Sequence, residues 1–129
     1  MQDKPSAEEL LEALAQFLDA EVVPAFEGRR RFHAIVAANV ARIVAREIRL
    51  GPAQVKQEYA ALCDLLEKSP TDPAPTAATL AQLNAELCDR INEGSADEGD
   101  YRRRVIDFLR SVVAAKLAID NPKLIQRLA

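Results

Sequence analysis

Residues 29–50 constrain the fold more than any other stretch: twenty-two residues without a glycine or a proline. At 100° per residue, Phe32, Val36, Val40, Ile43 and Leu50 share one arc, with Val44 at its edge. Ala34, Ala38, Ala41 and Ala45 lie on the opposite side, at spacings of four, three and four. A helix that is apolar or small nearly all round is buried or sandwiched. This run is therefore expected to be the central helix of an all-α fold, its bulky arc facing the bundle. The alanine ridge allows close approach of a further helix. Neighbours within one chain are the preferred cover, and the ridge of a second copy is the alternative.

Four more helices follow from periodicity and punctuation. The first is expected over 7–23, opened by a capping box of Ser6 and Glu9 and closed by Pro24. Its stripe is Leu10, Leu14, Phe17 and Leu18, flanked by Leu11 and Val22. Gly51 is a stop signal, and Pro52 suits the first turn of a new helix over 52–68 carrying Val55, Tyr59, Leu62 and Leu66. Three prolines between Ser69 and Thr76 mark a loop. A helix over 77–93 follows, capped by Thr76 and stopped by Gly94, with Leu80, Leu83, Leu87 and Ile91 in register. The last long helix covers 101–119, with Val105, Phe108, Leu109, Val112 and Ile119 inward, and a short turn over 123–128 packs back after Asn121-Pro122. Short connections favour antiparallel neighbours, so the expectation is one domain over 1–129, an up-and-down bundle of about five helices.

Composition agrees with this. Aromatic residues are 5% of the 129 and tryptophan is absent, while strong helix formers dominate. The formal net charge of −3 disfavours a nucleic-acid partner. No apolar run approaches the roughly 20 residues a bilayer requires, and no leader pattern is visible at the start. With two cysteines, Cys63 and Cys88, read as reduced thiols in semi-buried helix positions, the expected location is cytoplasmic.

Several stretches carry a family likeness. They are Met1-Gln2-Asp3-Lys4-Pro5, Glu9-Leu10-Leu11-Glu12-Ala13, Phe32-His33-Ala34, Val36-Ala37-Ala38-Asn39, Ala45-Arg46-Glu47 and Leu50-Gly51-Pro52. Leu83-Asn84-Ala85-Glu86-Leu87 and Lys116-Leu117-Ala118-Ile119-Asp120-Asn121-Pro122 complete the pattern. Together they resemble a bacterial family of small helical proteins of unestablished function. That family is associated with aminoglycoside-phosphotransferase-like kinases and acyl-CoA-dehydrogenase-like enzymes. The resemblance spans nearly the whole chain and implies a context, a kinase-like or dehydrogenase-like protein partner, without implying a reaction. The segment 70–75 lies outside the pattern.

Catalytic signatures are missing. The sequence has no glycine-rich phosphate loop, no His-Glu-x-x-His and no Glu-x-x-His of the di-iron bundle kind. No catalytic residue, metal ligand or cofactor is assigned. The informative feature is polar residues inside apolar stripes: Glu21 in the first helix, His33, Asn39 and Glu47 in the second, Asn84 in the fourth and Lys116 in the fifth. A buried charge costs several kcal/mol unless paired, so such groups knit the bundle together or line a ligand site. His33 and Glu47 are fourteen residues apart, about 21 Å along one helix, and cannot share a site within it.

Two arginine triplets, Arg29-Arg30-Arg31 and Arg102-Arg103-Arg104, open helices, and Arg31, Arg42 and Arg49 share a side of the second. An anion-binding face is one reading, a solvated face balanced by carboxylates the preferred one. Three functions remain open. The first is a non-catalytic interaction or accessory protein, with a homodimer expected through some surface. The second is a small-ligand binder or enzyme using Glu21, His33 and Lys116. Nucleic-acid binding comes last.

Overall fold

The computed structural model describes residues 3–128. The chain is all-α: no strand occurs among the described residues. α1 is Ala7–Phe17, continued by a single π-helical turn, Leu18–Val22; α2 is Gly28–Leu65, α3 Ala77–Asn92, α4 Gly99–Asp120 and α5 Pro122–Leu128. The chain divides into two compact units, Met1–Gly51 and Pro52–Ala129.

The first unit is a helical hairpin. Ser6 Oγ accepts from the Glu9 amide at 3.3 Å and Glu9 Oε2 accepts from the Ser6 amide at 2.7 Å, the reciprocal cap expected there. The last turn widens: the Val23 amide donates to Leu18 O, five residues back, before Pro24 ends the helix. The seam between α1 and α2 is built from small side chains. Ala15 meets Ala38 and Ala41, with Leu11 and Leu18 partly buried alongside. Ala34 and Ala45 are buried as well.

This reverses the expected orientation of α2. The alanine ridge is the buried face, and most of the bulky arc is exposed: Phe32, Val36, Val40 and Val44 lie open, while Ile43 and Leu50 of the same arc are half-buried. The reason is distance of approach. Methyl side chains let two helix backbones close together, whereas Phe and Val at the seam would hold them apart. On α1, the inward residues are accordingly Leu11, Ala15 and Leu18, while Leu10, Leu14 and Phe17 are exposed.

The second unit holds a larger core. Tyr59, Leu62, Cys63, Leu65 and Leu66 of the α2 end pack with Leu80, Leu87, Val105 and Phe108. Val55, Leu83, Ile91 and Val112 lean against this core, as their register predicted. Leu109, expected inward, is exposed, and so is Cys88, whereas Cys63 is buried. The 66–76 connection is tied down by the Tyr59 hydroxyl, which accepts from the Asp72 amide at 3.1 Å. Thr76 caps α3 through Thr79.

Gly51-Pro52 does not end a helix; α2 runs through it to Leu65. Proline removes one amide bond and crowds the preceding turn, yet well-packed helical segments on both sides carry the chain across. Gly51 itself is buried, and a Cβ there would meet Glu47 Oε1 at 3.0 Å, so the Glu47 side chain folds back over it. The true stop is at Glu67, whose φ of 58° is left-handed. The Lys68 amide returns to Cys63 O at 2.8 Å and the Glu67 amide to Asp64 O at 3.3 Å.

Candidate functional site

The hairpin has two unlike sides. On the helical wheel of α1, Glu8, Glu12 and Asp19 stand to one side of the buried line Leu11-Ala15-Leu18, and Leu10, Leu14 and Phe17 to the other. On α2, Arg42 and Arg49 flank the alanine ridge on one side, Val44 and Ile48 on the other. Ion pairs fix which flanks coincide. Arg42 pairs with Asp19, and Arg49 Nη1 lies 2.8 Å from Glu8 Oε1 and 3.8 Å from Glu12 Oε1. The arginines therefore meet the acids of α1, and the two apolar flanks fall together on the opposite side.

That opposite side is the largest chemical anomaly of the chain. Twelve large apolar residues are exposed among the described ones, and ten belong to the hairpin unit: Leu10, Leu14, Phe17, Phe26, Phe32, Ile35, Val36, Val40, Val44 and Ile48. Phe32 is 62% exposed, Phe17 55% and Val40 51%. Leu10, Leu14, Phe17, Val44 and Ile48 share that opposite side, Val36 and Val40 lie on the back of α2, and Ile35 falls within about 20° of Arg42 on the charged flank. Singly exposed apolar residues are ordinary, but a set this dense marks a surface for another molecule. No reaction chemistry is attached to it.

The polar residues singled out from the sequence sit differently from expectation. Glu21, His33, Asn39, Glu47 and Lys116 are exposed. For the first four, the stripes that contain them are themselves largely exposed, whereas Lys116 is exposed although Val105, Phe108 and Ile119 of its stripe are buried. Among the described residues no polar or charged residue is buried. Only Asn84 is partly buried, and its Nδ2 donates to Glu58 Oε1 at 3.2 Å, a link between α3 and α2. His33 and Glu47 flank the line of Val40 on the exposed arc of α2, each within about 20° of it on the wheel. The His33 ring stands 6.0 Å from that of Phe32.

Of the arginine triplets, Arg103 and Arg104 are balanced by carboxylates, while Arg102 reaches a backbone carbonyl. Arg103 Nη2 bonds Asp100 Oδ1 at 2.9 Å, Arg104 Nη2 bonds Asp64 Oδ2 at 2.9 Å, and Arg102 Nη1 bonds Asp97 O at 2.8 Å. Arg30 lies over the Phe26 ring at 5.9 Å. No cluster of three or more metal-ligating side chains occurs among the described residues. No helix there is long and apolar enough to cross a membrane.

A second feature belongs to the other unit. A groove of about 490 Å³ runs between α4 and α5, walled by Ile106, Leu109, Val113, Leu117 and Ile125, with Arg110 the charged residue among its walls. Periodicity could not have found it, since Leu109 reads as core.

The model of a domain of unknown function, DUF6285, matches residues 24–124. No curated protein and no solved structure matches the chain.

Proposed function

We propose that this chain, which belongs to the DUF6285 family, is a non-catalytic interaction protein that works through the apolar side of its 7–50 hairpin. The observation that carries the reading is that ten of the twelve exposed large apolar residues belong to the hairpin unit, with Leu10, Leu14, Phe17, Val44 and Ile48 together on that side. Apolar area of this kind is stabilised by burial at roughly 25 cal/mol per Å², and the hairpin alone does not bury it. Glu21, His33, Glu47 and Lys116, the charged and titratable groups singled out for acid–base work, are exposed. The family resemblance suggests a kinase-like or dehydrogenase-like enzyme as the accessory context.

Photo-crosslinking in the native host tests this. A photoreactive residue at position 36 or 40 is expected to give protein adducts, and one at Gln16, on the far side of α1, is expected to give none. Absence of protein adducts at 36 and 40 contradicts the reading.

The groove between α4 and α5 favours a second reading, a binder of a small apolar ligand. Its volume falls within the usual range for ligand sites, about 300–1,000 Å³, and Arg110 suits an anionic end group. Titration with a medium-chain carboxylate is expected to protect Leu109 and Val113 amides from exchange under this reading. Unchanged exchange removes it.

A further inference from the structure

Resting on the reading that the apolar side of the hairpin binds protein, we infer that its occupant is a second copy of this chain, packed antiparallel across α2 about a two-fold axis at Val40. The pattern of exposed residues is self-complementary about that position. Val36, Val40 and Val44 follow one another at a spacing of four, within about 40° of the Val40 direction, while Phe32 and Ile48 turn about 80° to either side. Reversing this face about Val40 sets Val36 against Val44 of the second copy and Val40 against itself, with Phe32 and Ile48 at the margins. A two-fold interface uses one patch twice, and a valine face centred on Val40 meets its own copy in like packing.

Charge obeys the same symmetry. His33 and Glu47 each stand seven residues from Val40, about 10 Å along the axis and on the exposed arc. Within one chain they are too far apart to interact. In the reversed pair, His33 of each copy comes opposite Glu47 of the other, at both ends of the face. A parallel arrangement would set His33 against His33 and Glu47 against Glu47. Leu10, Leu14 and Phe17 extend the patch beside this face, so two hairpins together make a four-helix arrangement whose core is the side each leaves open.

Sedimentation equilibrium of the purified full chain tests the inference. The wild type is expected at twice the chain mass. Val40→Arg, which places two like charges at the axis, is expected at the single-chain mass with unchanged helicity by circular dichroism, because Val40 is not part of the hairpin seam. His33→Glu alone is expected to weaken the dimer at least about tenfold, and His33→Glu with Glu47→Lys to restore it. Failure of the double variant to recover overturns the antiparallel register. A monomeric wild type overturns the second copy as occupant; crosslinking at 36 and 40 to another protein would then leave the interaction reading standing, and its absence would remove both.

Discussion

Ala15 of α1 and Ala38 of α2 meet in the seam of the hairpin, 1% and 0% exposed, and their methyl groups set how closely the two helices approach. Ala38→Leu should therefore force the helices apart and lower stability by about 1–3 kcal/mol. Ala38→Arg should unfold the hairpin, since the seam offers the guanidinium neither water nor a partner. Chemical denaturation checks both. An Ala38→Leu variant as stable as the parent would place the ridge outside the packing.

Glu67 ends α2 in a left-handed conformation with φ 58°, while Gly94 ends α3 in the same bonding pattern with φ 87°. Only one of the two stops uses the residue that adopts this geometry without a Cβ clash. Glu67→Gly is expected to stabilise the protein by about 1 kcal/mol. Gly94→Ala is expected to cost a similar amount, since a Cβ there would also meet Asp97 Oδ2 at 3.0 Å.

The Tyr101 hydroxyl is buried and has no hydrogen-bond partner among the described residues, although its ring packs on the larger core. Removing an unsatisfied buried hydroxyl while keeping the ring should be neutral or gain up to about 1 kcal/mol. A thermal melt of Tyr101→Phe is expected at or above the parent midpoint. A clear drop would mean that the hydroxyl is bonded.

Glu9 gives the start of α1 a dependence on acid. The Lys4 ammonium at 2.6 Å, then the backbone amide and hydroxyl of Ser6, hold its carboxyl down from 4.5 to about 2. Because folding lowers this value, the contribution is complete above 4.5 and fades as pH falls towards 2. Glu9→Gln should melt lower than the parent at neutral pH, with the gap closing across that interval. A gap that stays constant contradicts the capping account. Glu9 is open to solvent, so the effect is a small one.

Much of the second unit was legible in the sequence. Tyr59, Leu62 and Leu66, Leu80 and Leu87, and Val105 and Phe108 were expected inward and are buried, and Ser6, Thr76 and Gly94 act as the caps and stop they resemble. These signals are local, and bulky apolar residues in that unit do form the core. The first unit was legible in its pattern and inverted in its meaning. Periodicity separates Val36 and Val40 from Ala38 and Ala41 but does not say which face is covered. Hydropathy ranks valine above alanine, while close helix approach selects alanine. Reading the bulky arc as core places His33 and Glu47 inside with it, and the exposed arc carries both outward. Gly51-Pro52 misled for another reason: a stop signal is a local preference of order 1–3 kcal/mol, and the packing of a 38-residue helix overrides it.

The account rests on the apolar side of the hairpin being covered when the protein works. Hydroxyl-radical footprinting of Phe17 and Phe32 measures that cover directly, because both rings are more than half exposed in the single chain. The account predicts that both rings of the wild type at micromolar concentration are protected, and that both become reactive in Val40→Arg. Equal oxidation of Phe17 and Phe32 in the two proteins would contradict it.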